Sequence, residues 1–198
     1  FADYKTYKFV FHDVQSAGLD FLEDTVKVKV GGTELTADQY EVITTGLTDG
    51  CTFHVVIEDL KQIRSAAADA KVVVEYKSKL NKNAVIGSKG NPNEAYLEYS
   101  NSPYDTNGTT TTPHDKVTVF TFKVVANKTD GATNKALEGA AFALYKQDNA
   151  GNWNLVALNN ATESAGVYSS ADKDKTTFEW VGLDDGTYKI KEIITPAG

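Results

Sequence analysis

The chain has 198 residues, of which 20 are Lys or Arg and 27 are Asp or Glu, so its net charge is −7. This acidic balance argues against nucleic acids and anionic membranes as partners, because both attract clustered basic residues. The single cysteine excludes an internal disulfide and a multi-cysteine metal site, and no apolar run approaches the roughly 20 residues that cross a bilayer.

Alternating polar and apolar residues fill most of the chain, and this period of two is typical of half-buried strands. The predicted strands, in chain order, are 7–13, 25–30, 51–57, 71–77, 95–101, 117–128, 141–146, 176–180 and 187–194. Residues 57–68 break the pattern, with apolar residues at i, i+3 and i+6, and predict a short amphipathic helix. Many short strands with frequent turns predict an all-β fold of β-sandwiches.

The clearest boundary lies at residues 101–114, which are rich in Thr, contain two prolines and lack apolar periodicity. Such a composition is typical of a linker. We therefore predict two tandem β-sandwich domains, 1–104 and 115–198, joined by a linker at 105–114, with the short helix in the first.

Two ionisable residues of the second domain fall in the apolar phase of their strands. Glu192 shares a face with Ile190 and Ile194, and Lys128 continues the apolar row that contains Val124 and Ala126. Both side chains are predicted to point inward.

The first domain repeats this pattern. Asp13 continues the row of Phe9 and Phe11, and Asn101 ends a row of apolar residues on a later strand. Asn93 is in phase with Asn101 and is a second candidate for an inward-facing amide.

Two interpretations of these polar groups are open. Each can lie at a strand end and reach solvent, since long side chains extend their charged ends to water. Alternatively, burial holds a lysine as a nucleophilic free amine and a carboxyl as a protonated acid. An amide placed between them would then form a Lys–Asn isopeptide bond, once per molecule, with loss of ammonia.

Several separated motifs resemble known surface proteins of Gram-positive bacteria. Motifs similar to a collagen-adhesin B-type domain lie at 128–130, 136–146, 178–183, 186–193 and 195–198. Motifs similar to the preceding domain of sortase-assembled pilins lie at 13–21, 83–87, 90–93 and 96–103. The resemblance covers nearly the whole chain in family order, and it implies a major, or backbone, pilin subunit with immunoglobulin-like sandwich domains.

In that family a Lys–Asn bond beside an acidic residue crosses each such domain. The resemblance implies that Lys128 is the second-domain lysine and Glu192 its catalytic acid, while Asn101 is the first-domain acceptor and Asp13 its acid; Asn93 is the alternative acceptor. It also implies that the partner lysine and the partner asparagine lie outside this segment, so that each domain lacks a terminal strand. The chain contains no Met, and we expect Phe1 to be a processed or cut end.

The function implied is that of a structural shaft subunit of an extracellular, cell wall-anchored pilus, with neighbouring pilins and sortase as partners and no cofactor or metal. An ancillary or tip pilin that binds a host protein or glycan is the alternative. Enzymatic turnover is disfavoured, because no phosphate loop, metal set or His-paired nucleophile is recognised.

Cys51 is predicted to be a buried, inert thiol, and His12, His54 and His114 are expected to be scattered, without pairing to Cys51.

Overall fold

The fold is all-β, as predicted: 52% of the chain is strand and 2% is helix. The computed structural model describes residues 3–196. The chain divides into two compact units. Unit one comprises the residues up to Val85 together with Lys89–Val119, and unit two comprises Ile86–Ser88 together with the residues from Phe120 onward.

Unit one is a sandwich of two antiparallel sheets. Its strands are β1 (Phe9–Gln15), β2 (Leu19–Val30), β3 (Thr33–Glu34), β4 (Glu41–Ile43), β5 (Phe53–Ile57), β6 (Val72–Leu80), β7 (Asn91–Ser100), β8 (Thr109–Thr111) and β9 (Asp115–Val119). The larger sheet has the order β4-β5-β1-β7-β8, with β9 also paired to β7, and the smaller has the order β3-β2-β6.

The core of unit one lies between these sheets. Val28 and Val30 of β2 and Phe53 of β5 are fully buried, and the ring of Phe21 stacks on that of Phe53 with centroids 3.7 Å apart. Alternate residues of β1, β2 and β5 supply this core, because successive side chains of a strand point to opposite faces.

The predicted helix is much shorter than expected. Only Leu60–Gln62 is helical, as a single 3₁₀ turn that Asp59 caps by accepting from the Lys61 backbone N–H, and Ile57 ends β5. The apolar spacing at i, i+3 and i+6 has the three-residue period of a 3₁₀ turn. The turn buries Leu60 and Ile63 at one end of the core.

The boundary between the units also differs from the prediction. Strands β8 and β9 both pair with β7, so residues assigned to the linker and to the start of the second domain belong to the sheet of unit one. The Thr-rich composition that suggested a linker suits strands equally well, since Thr is β-branched. The predicted strand 117–128 is divided at Thr121, whose buried hydroxyl donates to the Leu183 carbonyl at 3.0 Å.

Unit two is built from short antiparallel strands. They are β10 (Phe122–Asn127), β11 (Ala141–Gln147), β12 (Trp153–Asn159), β13 (Ala161–Ser164), β14 (Val167–Ser170), β15 (Thr177–Leu183) and β16 (Tyr188–Ile194). The sheets are β10-β15, β12-β11-β16 and the hairpin β13-β14. The core forms between the first two sheets, where Phe142 and Phe178 meet edge to face with centroids 4.6 Å apart. No helix within residues 3–196 has the length and apolar character that crossing a membrane requires.

Candidate cross-link sites

Lys128 and Glu192 contact each other in unit two. The Lys128 Nζ lies 3.1 Å from Glu192 Oε1 and 3.2 Å from Oε2. About a quarter of each side chain is exposed, 24% for the lysine and 27% for the glutamate. The structure thus joins the two residues that strand parity placed on inward faces, at the rim of the core rather than at its centre.

The strands explain this meeting. Glu192 of β16 is the register partner of Phe142, a core residue of β11, so the glutamate lies on the core-facing side of its sheet. Lys128 directly follows β10, which belongs to the opposite sheet. Its backbone N–H donates to the Thr176 carbonyl at 2.9 Å, and its own carbonyl accepts from the Leu137 N–H at 3.0 Å. The ion pair therefore connects the two sheets.

In unit one the acid is fully buried. Asp13 has no exposed surface, and its Oδ2 accepts hydrogen bonds from the Tyr76 hydroxyl at 2.6 Å and from Asn93 Nδ2 at 3.0 Å. The same Asn93 nitrogen lies 2.9 Å from the Tyr76 hydroxyl oxygen. Asp13 Oδ1 and Asn93 Oδ1 are buried without a hydrogen-bond partner among the described residues. Unpaired buried oxygens of this kind are rare in folded proteins and require an explanation.

Aromatic rings keep water away from this carboxyl. Phe53, the register neighbour of Asp13 on β5, is fully buried, and the Tyr76 ring meets it edge to face at 5.0 Å. Burial raises the pKa of Asp13, and hydrogen bonds from Tyr76 and Asn93 only partly oppose this rise. Burial and the bond to Asp13 likewise raise the pKa of Tyr76. The site therefore favours the protonated form of the Asp13 carboxyl more than water does.

The raised pKa of Asp13 predicts a pH dependence of folding. A carboxyl that binds its proton more tightly in the folded state adds stability that is fully present below its unfolded pKa of about 3.9. That contribution is lost as the pH rises through the folded pKa. In the 198-residue chain we expect the free energy of unfolding of unit one, from denaturant titrations at a series of pH values, to fall across this interval. Asp13→Asn, which cannot ionise, should lack this fall; parallel pH profiles for the two proteins would contradict the assignment.

The structure does not bring Asn101 to Asp13. Asn101 lies beyond the end of β7, is exposed, and donates from Nδ2 to the Thr109 carbonyl at 3.0 Å. Asp13 is the register partner of Ala95, and six residues of strand separate Ala95 from Asn101 by about 20 Å. The alternative acceptor, Asn93, is the one that contacts Asp13. The alternation of side chains along the strand made both asparagines candidate acceptors, and the register between β1 and β7 shows that only Asn93 lies next to Asp13.

A cleft of about 380 Å³ opens beside Asn93. It is lined by Gln15, Leu19, Tyr76, Ser78, Leu80, Asn93, Val117 and Val119. It gives the amide an approach from outside the sandwich. Tyr76 was not identified as a site residue, although it alternates with exposed Glu75 and Lys77 on β6 and so falls in the inward phase.

The expected scattering of the histidines is also corrected. His12 and His54 are register partners on β1 and β5, and Cys51 Sγ lies 3.7 Å from His12 Nδ1. Cys51 precedes β5 rather than continuing its alternation, and it is partly exposed.

Comparisons with known proteins agree with this architecture. The family model for the Gram-positive pilin backbone subunit 2, Cna-B-like domain, matches residues 2–103, and that for a prealbumin-like fold domain matches residues 122–198. The trypsin-resistant surface T6 protein of Streptococcus pyogenes is 29% identical over 138 residues, which cover 63% of this chain and 23% of that protein. The chain therefore spans about a quarter of the length of this relative.

Solved structures share the fold. Two domains of the major pilin SpaD from Corynebacterium diphtheriae match with a TM-score of 0.69 and 24% identity, covering 100% of this chain and 74% of that one. The 35 kDa carboxy-terminal fragment of the major pilin GBS80 of Streptococcus agalactiae matches with a TM-score of 0.70 and 22% identity, covering 99% and 75%. The major pilin SpaA of C. diphtheriae, described as having stabilising isopeptide bonds, matches with a TM-score of 0.60 and 17% identity, covering 96% and 52%. Since the pilin backbone model covers just over half of the sequence, the chain belongs to the family of Gram-positive pilin backbone subunits with a Cna-B-like domain.

Proposed function

We propose that this chain forms part of the shaft subunit of a covalently polymerised surface pilus, and that Lys–Asn isopeptide bonds formed within each domain stabilise it. One observation carries the proposal: each unit pairs an acid with one of the two reacting groups. In unit two the acid Glu192 contacts the amine of Lys128, and in unit one the acid Asp13 contacts the amide of Asn93.

In unit two, Lys128 supplies the nucleophile. Proton transfer from the ammonium to the Glu192 carboxylate, across 3.1 Å, leaves a neutral amine. The amine attacks Cγ of an asparagine, so that a new C–N bond forms, the bond from Cγ to the amide nitrogen breaks, and ammonia leaves. The protonated glutamate supplies the proton that the departing nitrogen needs, and the carboxylate that results accepts the second proton that the attacking nitrogen loses as it becomes an amide. The asparagine belongs to a segment outside residues 3–196.

In unit one, Asn93 supplies the amide. Half a turn of this amide would exchange its oxygen and nitrogen, so that a protonated Asp13 could donate to Oδ1 and polarise the carbonyl. The raised pKa of Asp13 supports this role, because a protonated carboxyl is the donor required. The lysine, from a segment outside the described residues, would reach Asn93 through the adjacent cleft.

Such bonds suit a fibre that bears load. A covalent tie across a domain removes conformational freedom from the unfolded chain, as a disulfide does. It also works without an oxidising compartment and without cysteine pairs, of which this chain has none. We propose that neighbouring pilin subunits and a sortase are its partners, and that the assembled pilus is anchored to the cell wall and supports adhesion.

A tip or ancillary pilin that binds a host protein or glycan is the second candidate. Tyr104, on the loop that follows β7, is 91% exposed, and exposed aromatic rings are frequent at binding surfaces.

Deleting the gene in the source bacterium separates the two functions. If the chain belongs to the shaft, cell wall extracts should lose the high-mass ladder of pilus polymers that resists boiling in detergent, because no subunit is left to polymerise. Reintroducing the wild-type gene should restore it. A ladder that persists in the deletion strain would instead identify an ancillary subunit.

A further inference from the structure

Four side chains of three types converge on the outer face of the larger sheet of unit one. They are His12, Asp49, Cys51 and His54, here called the His–Cys cluster. One nitrogen, oxygen or sulfur atom from each lies within 4.8 Å of every other. The set is independent of the cross-link chemistry, because His12 and Asp13 are consecutive on β1 and point to opposite faces.

The fold brings the four residues together in two ways. The antiparallel register of β1 and β5 sets His12 directly opposite His54, with ring centroids 4.0 Å apart. The loop of residues 44–52, which connects β4 to β5, then turns back over this pair. Asp49 Oδ1 accepts from the Cys51 backbone N–H at 3.1 Å, which fixes both loop residues above the histidines.

Three separations within the cluster are close to those of a tetrahedral zinc site, and all the ligand atoms lie within 4.8 Å of one another. Zinc bonds of about 2.0 Å to nitrogen or oxygen and 2.3 Å to sulfur place neighbouring ligand atoms roughly 3.3 to 3.6 Å apart. In the cluster, Asp49 Oδ2 lies 2.8 Å from His54 Nε2 and 3.2 Å from His12 Nδ1. The Cys51 Sγ lies 3.7 Å from His12 Nδ1. Small side-chain adjustments would admit an ion at the centre.

The surrounding residues hold His12 as a metal-bound histidine is usually held. Glu98 Oε2 lies 3.2 Å from His12 Nε2, which leaves Nδ1 directed into the cluster. The ring of Tyr96 stacks on that of His12 at 4.4 Å, with the planes 8° apart, and its hydroxyl lies 3.6 Å from Cys51 Sγ. A carboxylate on the second ring nitrogen of a ligating histidine fixes the orientation and tautomer of that ring.

The donor set also selects among metals. Two imidazoles, a thiol and one carboxylate suit Zn²⁺, whereas Ca²⁺ and Mg²⁺ require mostly oxygen ligands. The His12 side chain is 6% exposed and that of Asp49 is 33% exposed, so the cluster is enclosed by the sheet on one side and open to solvent on the other. An ion therefore has an entry path.

We propose that His12 Nδ1, Asp49 Oδ2, Cys51 Sγ and His54 Nε2 bind one Zn²⁺ and thereby tie the 44–52 loop to β1. On binding, the Cys51 thiol releases its proton to solvent and coordinates as thiolate. The ion has a structural role, because four protein ligands leave no open coordination position for a substrate.

Metal titration of the 198-residue chain tests this site. After removal of metal with a chelator, calorimetric titration with Zn²⁺ should give one ion per chain with a Kd below about 1 μM. Co²⁺ in place of Zn²⁺ should give the intense visible bands of four-coordinate cobalt and a thiolate-to-cobalt charge-transfer band. Zinc should also raise the melting temperature of the chain, because the ion binds the folded state.

Variants assign the ligands. Cys51→Ser should abolish the charge-transfer band, and both Cys51→Ser and His54→Gln should weaken Zn²⁺ binding by about 100-fold or more. Glu98→Gln should weaken it by about tenfold, since its carboxylate only orients His12. The matched control is His114→Gln. The His114 ring stacks on that of Tyr96, as the His12 ring does, but His114 is half exposed and lies outside the cluster, so this variant should bind zinc like the wild type.

Two results would overturn the proposal. One is the absence of stoichiometric Zn²⁺ and Co²⁺ binding by the wild-type chain, which needs no variant to fold. The other is Zn²⁺ affinity that is unchanged in Cys51→Ser and His54→Gln. Either result would mean that the His–Cys cluster is only a set of hydrogen-bonded polar side chains and not a metal site.

Discussion

Replacing Glu192 with alanine in the full-length subunit is expected to leave Lys128 without its covalent bond. Glu192 is the acid in contact with the Lys128 amine, and without it neither the amine nor the departing nitrogen has a proton relay. The second domain should then lose about 4 kcal/mol of unfolding free energy, the amount expected for a covalent tie that closes a loop of several tens of residues. By intact-mass spectrometry the variant should be heavier by one ammonia than its cross-linked form would be, and denaturant titration should show the loss of stability.

Glu179→Ala is the matched control for this substitution. Glu179 lies 3.7 Å from Lys123 Nζ in the same unit, but about half of each side chain is exposed, and exposed ion pairs contribute little to stability. This variant should keep both the bond and the wild-type stability. Lys128→Arg keeps the positive charge but removes the nucleophile, and it should behave like Glu192→Ala. A Glu192→Ala protein with wild-type mass and stability would refute the role of the acid.

Substitution of Asn93, and not of Asn101, should abolish the bond of the first domain. Asn93 contacts the buried acid, whereas Asn101 is exposed and hydrogen-bonded to Thr109. Asn93→Ala should show no loss of ammonia from the first domain, because the amide that would release it is absent. It should also lose about 4 kcal/mol of unfolding free energy with the covalent tie, plus about 1 kcal/mol with the buried hydrogen bonds to Asp13 and Tyr76. Intact mass and denaturant titration of the first domain report both effects.

Asn101→Ala is the matched control for Asn93→Ala. It makes the same substitution only eight positions away in the sequence, and it should keep the isopeptide bond of the first domain. Asp13→Ala leaves the Asn93 amide in place but removes the proton donor, so it should fail to cross-link. Loss of the bond in Asn101→Ala with retention in Asn93→Ala would reverse the assignment of the acceptor.

Strand alternation was sufficient to predict much of this architecture. The period of two is a local property, so the sequence predicted an all-β fold and the inward phase of Lys128, Glu192 and Asp13. Parity predicts that the Lys128 and Glu192 side chains face the same core, and the packing of the two sheets against each other then brings them into contact.

Parity alone could not supply the register between strands. Asn93 and Asn101 are in the same phase, and only the pairing of Asp13 with Ala95 makes Asn93 the nearer amide. The inward phase of Tyr76 was readable from β6, but its bond to Asp13 depends on the packing of one sheet against the other. Such contacts join residues that are far apart in sequence.

The His–Cys cluster was missed for a related reason. His12 and His54 are 42 positions apart and meet only because β1 and β5 align them, and Cys51 joins them because the chain turns before β5 begins. The same absence of local signals explains why a linker was predicted where the structure has a strand. The threonines at 109–111 are compatible with a loop or a strand, and only their pairing with β7 makes them a strand.

The most direct test of the account is peptide mapping by mass spectrometry of the full-length subunit purified from assembled pili. We predict two branched peptides, one that joins Lys128 to an asparagine and one that joins Asn93 to a lysine, each lighter than the sum of its parts by one ammonia. Recovery of Lys128 and Asn93 in linear, unmodified peptides, from protein in which Glu192 and Asp13 are intact, would contradict the account.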